Sequence, residues 1–557
     1  MPSWLFESLH GYKATWLPRD LVAGIMLAAI AIPGQLATAR LAGMPSETGL
    51  YAFAAGSLAF AGFGANRFIS VAADSTIAPI FAGGVASLTA FGNPHYTELV
   101  TLLALMVGAI LLAIGLLRAG WLATLLSIPV TTGFLAGISI HIIVGQLPTL
   151  LGISEEHGPL ALRLLHILGR LDETNPYALA LGVIVLAVTL SMAMISSKIP
   201  GALIGVTGAG VAVALFHLQT RGVSLLDPLP LEIPRVALPS MPSGDEWAHL
   251  VPLALIVAMV CIMQTSAVAS TFPSERSKPD DVSRDFAGVG AGSILAGLIG
   301  SFPVDASPPS TAIVVESGGH SQVAAISAVA LMIAVFLVAA GLVAYVPHAA
   351  LSGILVYIAL KIFRVDEMVR IYRRSRWEIL LVAASGGLVV ALPIQTGMLL
   401  AIVLSFVHSL YAVARPYCAE LARVPGSTVW WPPSEGEESQ RESGVLVFAP
   451  AAPLNFTNGQ YISDKIAAAV ETASTPVKLL VIEASGITDI DYTGSQILQR
   501  TIAELHARSI AVAIARLSDT RAQAQAQRTG LIAALGAQYV FKSVEDAVRR
   551  ITRNARS

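Results

Sequence analysis

The sequence predicts an α-helical polytopic membrane protein with a small soluble α/β domain at its C-terminal end. Of the 557 residues, 55% are hydrophobic and 13% are charged, whereas soluble domains carry about 25% charged residues. The stretches 101–117 and 379–414 contain no charge, and roughly 20 apolar residues suffice to cross a bilayer. Beyond residue 414 the composition changes abruptly. The net charge of −2 gives no reason to expect a nucleic-acid partner.

The apolar region predicts 14 membrane segments in two sets of seven, and the third segment of each set is unusually short or broken. The first set is 21–40, 49–64, 75–92, 98–117, 122–146, 177–196 and 201–217. The second set is 249–271, 284–301, 309–317, 321–345, 347–362, 377–392 and 394–413. An even number of segments places both ends of this region on the same side of the membrane.

The distribution of basic residues predicts which side that is, because cytoplasmic loops carry an excess of lysine and arginine. The loops on the side of the C-terminal domain contain Arg118, Lys198, Arg276, Lys278, Arg284, Lys361, Arg364, Arg370, Arg373, Arg374 and Arg376. The loop 218–248 on the other side contains Asp227, Glu232, Asp245 and Glu246. We therefore expect an integral protein of the inner or plasma membrane with both termini in the cytoplasm. The first 20 residues lack the pattern of a cleavable signal peptide.

The C-terminal part predicts a linker followed by an α/β domain. Residues 415–443 are rich in proline, glycine, serine and charge, which is typical of a linker. From residue 444 to 557, strand-like runs such as "VLVFAP", "VKLLVIEA" and "SIAVAIARL" alternate with stretches of helical spacing. The stretch "SVEDAVRRI" (543–551) opens with a helix cap and predicts a last helix.

Two similar polar phrases, "AADSTIAPIFAGG" (72–84) and "SPPSTAIVVESGG" (307–319), interrupt the apolar sequence. A helix that begins in mid-membrane must line a protein cavity, because lipid offers no partner for its free backbone groups. Its free N–H groups and partial positive charge favour an anion. Paired broken helices in corresponding halves indicate an inverted-repeat transporter site. Two helix caps at the membrane surface are the alternative.

Within these phrases, Pro308 and Pro309 suit the first turn of a helix, where a missing N–H costs nothing. The hydroxyl groups of Ser310 and Thr311 would add hydrogen-bond donors there. In the earlier phrase Asp74, Ser75 and Thr76 hold the matching positions.

Four stretches in order along the chain carry a family resemblance. They are "AIPGQLATARLAGMPSETGLYA" (31–52), "SIPVTTGFLAGISIHIIVGQLPTLLG" (127–152), "ASPPSTAIVVESGGHSQVAAI" (306–326), and "LNFTNGQYISDKI" with "TDIDYTGSQIL" (488–498). The first three resemble the first, fifth and tenth helices of the SulP anion permeases, the sulfate-permease and solute-carrier group that includes pendrin and prestin. The last resembles the STAS domain that follows the membrane part in this family.

This resemblance, which covers nearly the whole chain, implies a uracil-permease-like fold of 14 segments in two inverted seven-segment repeats. It implies a transmembrane transport domain at 1–414, with a core of segments 1–4 and 8–11 and a gate of segments 5–7 and 12–14. A cytoplasmic STAS domain would occupy 444–557. Substrate would bind between the starts of segments 3 and 10, and the core would slide against the gate like an elevator. The resemblance also suggests a homodimer, and no cofactor is expected.

The resemblance also suggests which residues contact the substrate. They are Gln35, Asp74, Ser75, Thr76, Gln264, Ser310, Thr311 and the amide of Ala312. For Gln35, packing between helices is the alternative. Many relatives carry a basic residue at the position of Ser310. Without it, the positive potential would come mainly from helix dipoles and would favour anions that are modestly charged or well hydrogen-bonded.

Coupling to H⁺ or Na⁺ has no obvious carrier at the usual position. Gln264 stands where many relatives have glutamate or aspartate, and its neutral amide cannot titrate. The acids beside the presumed helix starts, Asp74 and Asp305, are the coupling candidates, since intramembrane acids are commonly functional. Capping of their half-helices is an equal alternative.

In the STAS domain, "DIDYTG" places Asp491 and Thr493 in a loop that enters a helix. In related soluble proteins the residue at the position of Thr493 is phosphorylated, and phosphate is favourable at a helix start. A structural or docking role for this loop is the alternative.

Three classes of function remain open. The leading one is a secondary anion transporter, for which sulfate, bicarbonate, chloride, nitrate and dicarboxylates are all compatible substrates. The others are a nucleobase–cation symporter of the same fold and a non-transporting membrane sensor that signals through its STAS domain. No enzyme motif is found, no metal site is expected, and Cys261 and Cys418 are interpreted as packing residues.

Overall fold

A computed structural model describes most of the chain, in two compact units, Met1–Phe406 and Val407–Ser557. The described residues are 5–9, 11–120, 127–154, 160–196, 199–226, 239, 242–274, 281–433 and 440–554. Several charged residues used to predict the orientation lie outside them: Lys198, Asp227, Glu232, Arg276 and Lys278.

The first unit is built from α-helices. The helices of the first half are α1 (Leu17–Leu41), α2 (Ser46–Phe63), α3 (Ala78–Ala86), α4 (Pro94–Leu116), α5 (Ile128–Leu151), α6 (Leu160–Gly169), α7 (Pro176–Ile195) and α8 (Gly201–Phe216). Those of the second half are α9 (Gly244–Thr271), α10 (Val282–Leu298), α11 (Pro308–Glu316), α12 (Val323–Val343), α13 (His348–Ile362), α14 (Val365–Arg374), α15 (Glu378–Ala391) and α16 (Ile394–Ala414). The last of these crosses the boundary between the two units.

Each predicted membrane segment overlaps one of these helices, so the prediction of a polytopic helical fold is confirmed. Seven helices in the described part of the chain are long and apolar enough to cross a membrane. Two helices, α6 and α14, were not predicted. Both are short and amphipathic, with charged side chains that interrupt the apolar run which marks a membrane segment.

Local capping explains where several helices begin. The side chain of Asn93 accepts from the amide of His95 at the start of α4, and Asn175 accepts from two amides at the start of α7. At α9, Ser243 and Glu246 form a reciprocal capping box. Each cap satisfies amides that the first helical turn leaves without a partner.

Glycines allow close packing between helices of the first unit. A Cβ on Gly290 of α10 would lie 2.6 Å from the amide nitrogen of Leu112 on α4. A Cβ on Gly297 would lie 2.8 Å from the carbonyl oxygen of Thr101. The small residues of α10 therefore bring its backbone against α4.

A pair of two-residue strands precedes the two short helices. Strand β1 (Val71–Ala72) pairs antiparallel with β2 (Asp305–Ala306), so that Val71 is opposite Ala306 and Ala72 is opposite Asp305. Because α3 and α11 follow these strands, the pairing brings the starts of the two helices together from opposite directions.

The described residues of the second unit form a six-stranded sheet and five α-helices beyond α16. The strands are β3 (Cys418–Arg423), β4 (Trp430–Trp431), β5 (Val445–Pro450), β6 (Leu479–Glu483), β7 (Ala511–Ala515) and β8 (Val540–Phe541), in the order β4-β3-β5-β6-β7-β8. The helices are α17 (Gly459–Thr472), α18 (Tyr492–Ala507), α19 (Thr520–Arg528), α20 (Leu531–Leu535) and α21 (Val544–Asn554). Strands β5 to β8 are parallel, and β3 pairs antiparallel with β5.

The segment predicted as a linker, 415–443, differs from that expectation. It contributes β3 and β4 to the sheet, and Trp430 of β4 is buried in the apolar layer beneath α21. Glu545 of α21 accepts hydrogen bonds from Arg423 and from the Trp430 indole. The composition of this segment misled the prediction because turns and a short edge strand such as β4 are rich in the same residues as linkers.

Candidate functional site

The starts of α3 and α11 are tied to each other by backbone and side-chain hydrogen bonds. The amide of Ser307 donates to the carbonyl of Ser70 at 2.9 Å, and the amide of Ser70 donates to the hydroxyl of Thr311 at 3.0 Å. Each helix has nine residues and is about 13 Å long, too short to cross roughly 30 Å of hydrocarbon. Both are half-helices whose starts meet inside the protein.

At the start of α11, prolines leave few free amides. Ser307 is the N-cap, and its carbonyl accepts from both the amide and the hydroxyl of Thr311. Pro308 and Pro309 carry no N–H, and from the fourth helical residue onward amides bond within the helix. The amide of Ser310 is therefore a first-turn donor without an acceptor in the described part of the chain, whereas that of Ala312 is used inside the helix.

The hydroxyl groups of this turn have different roles. Thr311 is fully buried, and its hydroxyl donates to Ser307 while accepting from Ser70. It therefore has no proton left for a ligand, which differs from the sequence expectation for Thr311. The hydroxyl of Ser310 accepts from that of Ser307 at 3.1 Å. Its own proton has no acceptor among the described residues.

At the start of α3, Asp74 organises a turn before the helix. Its Oδ1 accepts from the amide of Thr76 at 2.8 Å and from the hydroxyl of Thr76 at 2.6 Å. Its carbonyl accepts from the amide of Ala78, where the helix begins. Ser75 and Thr76 thus lie in the turn and not in the helix as expected, because an aspartate side chain competes with the helix for nearby amides.

Ser75 is the least constrained polar residue of this turn. The residue is buried, and neither its hydroxyl nor its amide has a hydrogen-bond partner in the part of the chain that the structure describes. Together with Ser310, it supplies hydroxyl and amide donors at the two half-helix starts.

Gln264 of α9 links the two half-helix starts. Its Nε2 donates to the carbonyl of Ala306 at 3.0 Å, and its Oε1 lies 3.1 Å from the hydroxyl of Thr76. Thr76 has one hydroxyl proton, and two oxygens compete for that proton, Gln264 Oε1 and Asp74 Oδ1. The side-chain amide of Gln35 on α1 also bonds to backbone. Its Nε2 donates to the carbonyl of Ala73 at 3.1 Å, and its Oε1 accepts from the amide of Ala73 at 3.0 Å.

Asp305 is the second acid of the site and is fully buried. Its Oδ1 accepts from its neighbour's amide at 2.7 Å and lies 3.4 Å from the hydroxyl of Thr265. Its Oδ2 has no partner among the described atoms. No lysine or arginine is found among the described hydrogen-bond or ion-pair partners of Asp74, Gln264, Asp305 or Ser310.

The structure thus brings most of the predicted site residues together, but several of them bond to other parts of the protein. Gln264 and Thr76 bond to each other between the two half-helix starts. Gln35 and Thr311 bind protein backbone, and the amide of Ala312 is used within its helix. Sequence reasoning missed Ser70, Ser307 and Thr265, which hold these elements in place. No local signal identifies them, because Ser70 and Thr311 are 241 residues apart.

In the second unit, Asp491 is the N-cap of α18. Its carboxylate accepts from the amides of Gly494 at 2.6 Å and Phe456 at 2.8 Å. Thr493, in the first turn of the same helix, is exposed. Cys418 is half-buried in β3, and burial raises the pKa of its thiol, which fits a packing role.

Comparison with known proteins gives two domain matches. Residues 17–385 match the Sulfate permease family, and residues 438–547 match the STAS domain.

Similar proteins match along almost the whole chain. A probable sulfate transporter of Mycobacterium tuberculosis is 31% identical over 543 residues, which cover 97% of this chain and 96% of that protein. Solute carrier family 26 member 10 of Mus musculus is 24% identical, covering 96% of this chain and 83% of that protein. These relatives are transporters and not enzymes.

Two solved structures share the fold. The overall structure of SLC26A9 matches with a TM-score of 0.88 at 18% identity, covering 98% of this chain and 92% of that chain. The transmembrane domain of the cyanobacterial bicarbonate transporter BicA matches with a TM-score of 0.59 at 21% identity, covering 71% of this chain and 98% of that chain.

Proposed function

Because the chain belongs to the sulfate permease family and is a membrane anion transporter, we propose that its substrate binds between the starts of α3 and α11. The observation that carries this proposal is the pair of buried serines, Ser75 and Ser310, at those two starts. Each has a hydroxyl proton without an acceptor among the described residues. Buried donors beside two helix starts attract an anion and orient it.

The charge of the site limits the substrate. Each helix start contributes about half a positive charge, so the two together offset roughly one negative charge. Asp74 and Asp305 add negative charge when ionised, and no described lysine or arginine opposes them. When both acids carry a proton, the site can hold a monovalent anion, whereas a divalent anion such as sulfate requires further protons or cations to enter with it.

Asp74 is the better-placed proton carrier. When it is ionised, the single hydroxyl proton of Thr76 has two acceptors, Asp74 and Gln264, at 2.6 and 3.1 Å. A proton on Asp74 can be donated to the Thr76 oxygen, which frees the Thr76 proton for Gln264. Protonation therefore completes a hydrogen-bond chain from one half-helix start to the amide that holds the other. We propose proton–anion symport on this basis.

Asp305 is the second coupling candidate. A fully buried carboxylate oxygen without a partner is costly, and a proton or a sodium ion would relieve this cost. Its backbone pairs with Ala72 of β1. Binding of a proton or sodium ion at Asp305 would therefore affect the positions of both half-helices.

We also propose an elevator-like transport cycle, a cytoplasmic location for both termini, and a homodimer. Helices α1–α4 and α9–α12 pack mainly on one another, as do α5, α7, α8, α13 and α15, which supports an elevator-like core and gate. The basic loops support a cytoplasmic location for both termini and the STAS domain. The family resemblance supports a transport domain that extends to about residue 414 and a STAS domain beyond it. It also supports a homodimer.

Counterflow in proteoliposomes tests the proposal. Labelled sulfate, bicarbonate, chloride, nitrate and dicarboxylates are offered with and without proton and sodium gradients. We expect saturable exchange of at least one anion, accumulation driven by an acidic exterior, and loss of both in a variant carrying Ser75→Ala and Ser310→Ala. Uptake of uracil in place of anions would support a nucleobase symporter, and a folded protein without any flux would support a sensor.

A further inference from the structure

Helix α14 presents an apolar strip that no described part of its unit covers. At 100° per residue, Val365, Val369 and Tyr372 fall on one side of the helix, and they are 57%, 42% and 56% exposed. The neighbouring side carries Ile371, which is buried where α14 packs against α5 and α15. The side of the helix that carries Ile371 therefore packs on the protein. The strip of Val365, Val369 and Tyr372 is free to contact another apolar environment.

Basic side chains are concentrated at the C-terminal end of this helix. Between residues 361 and 376 there are six basic and two acidic residues, a net charge of +4. Glu367 pairs with Arg370 within the helix. Arg373, Arg374 and Arg376 are exposed and have no acidic partner among the described residues. At 100° per residue, Arg373 lies about 40° from Val369, whereas Arg374 is on the side opposite the strip and Arg376 follows the end of the helix. These exposed guanidinium groups at one end of an apolar strip match a surface that is apolar and negatively charged.

The position of α14 in the chain identifies that surface. The helix directly follows α13 and precedes α15, and both of these are apolar helices of the membrane unit. Trp377, between α14 and α15, is 82% exposed, and tryptophan is enriched at membrane–water interfaces. An amphipathic helix with arginines on its polar side lies in the plane of the interface.

We infer that α14 lies in the cytoplasmic membrane interface and binds the headgroups of anionic phospholipids through Arg373, Arg374 and Arg376. Val365, Val369 and Tyr372 enter the boundary between headgroups and acyl chains, and the arginines contact lipid phosphates. Zwitterionic lipid offers no net charge to the arginines, so binding depends on anionic lipid. This inference does not depend on which solute is transported.

Thermal unfolding of the purified full chain in detergent tests the inference. Added phosphatidylglycerol should raise the melting temperature saturably, and phosphatidylcholine or inorganic phosphate at the same concentrations should not. Because each arginine near an anionic membrane contributes about 1 kcal/mol, or roughly fivefold in affinity, R373Q/R374Q should weaken the apparent affinity for phosphatidylglycerol roughly 30-fold. The matched control R521Q/R528Q, on α19 of the STAS domain, removes the same charge and should leave the affinity unchanged.

Two further variants separate charge from folding and from the apolar contact. R373K/R374K keeps the charge and should retain most of the lipid effect, whereas V369S/Y372S should weaken it with all arginines present. Equal affinity for phosphatidylglycerol in wild type and R373Q/R374Q would overturn the inference. So would an equal stabilisation by inorganic phosphate, because it would indicate a site for free anions.

Discussion

The side-chain amide of Gln264 donates to the backbone carbonyl of Ala306, with 3.0 Å between Nε2 and the carbonyl oxygen. A carbonyl only accepts, so this bond determines which end of the amide is the nitrogen. The Oε1 atom is consequently turned toward the hydroxyl of Thr76, 3.1 Å away. One side chain of α9 therefore connects the strand before α11 with the turn before α3.

We expect Gln264→Glu to make transport strongly dependent on pH. The ionised variant has no donor for Ala306, and an unpaired buried carbonyl costs about 1–3 kcal/mol, a loss of roughly 5- to 150-fold in anion affinity. At low pH the protonated side chain can donate again. Uptake should therefore fall as pH rises and recover as it is lowered, measured as initial rates in proteoliposomes.

Gln219→Glu is the matched control for that variant, because Gln219 is exposed in the short 3-10 helix after α8. It adds the same charge outside the site and should leave the pH profile of uptake as in wild type. A Gln264→Glu protein with the wild-type profile would show that the bond to Ala306 does not support the site.

Asp74→Asn should separate coupling from binding. The asparagine oxygen can still accept from the amide of Thr76, so the turn before α3 is kept, but the side chain cannot carry a proton. We expect counterflow within a few-fold of wild type and loss of accumulation driven by a pH gradient. Asp305→Asn, measured in parallel, should keep the proton-driven accumulation. The assignment would be reversed if only the Asp305 variant lost it.

Ser310 should determine affinity and the preferred charge of the anion. Ser310→Ala removes a buried donor and should weaken anion binding roughly 10- to 150-fold, since hydrogen bonds to charged groups are worth about 1.5–3 kcal/mol. Ser310→Arg adds a full positive charge and should shift preference toward divalent anions. Competition assays with unlabelled anions measure both effects, and Ser317→Ala at the other end of α11 is the control. An unchanged ranking of anions in Ser310→Arg would remove the support for a dipole-based site.

The membrane helices and the two short ones could be predicted because apolar runs, prolines and serine–threonine pairs are local signals. The exact roles inside the site could not. Gln35 and Thr311 were expected to contact the substrate, but each bonds to backbone far away in the sequence, at Ala73 and Ser70. Such bonds depend on the pairing of β1 with β2. Each of these strands has two residues, which is too short to show the alternating pattern that predicts a strand. Likewise, α14 has too many charged residues to be found by apolar runs.

The boundary of the STAS domain gives a prediction about stability. Glu545 of α21 accepts from Arg423 at 2.9 Å and from the indole of Trp430 at 3.2 Å, and Trp430 is buried. A fragment of residues 444–557 lacks both partners as well as β3 and β4. We expect it to be less stable than a fragment of residues 415–557 by more than about 2 kcal/mol, measured by urea unfolding. Equal unfolding midpoints would mean that 415–443 acts only as a linker.

Close packing of α5 against α15 should make Gly133 intolerant of a side chain. A Cβ at this position would overlap Ser385 Oγ and the carbonyl of Val382, and the backbones cannot separate without breaking contacts along both helices. Overpacking of this kind costs about 1–3 kcal/mol, so Gly133→Ala should lower the melting temperature in detergent by a few degrees. Gly208→Ala in α8 is the matched control, since no atom lies within 4 Å of its added Cβ. That variant should be as stable as wild type or slightly more so, because alanine favours the helix by up to about 1 kcal/mol.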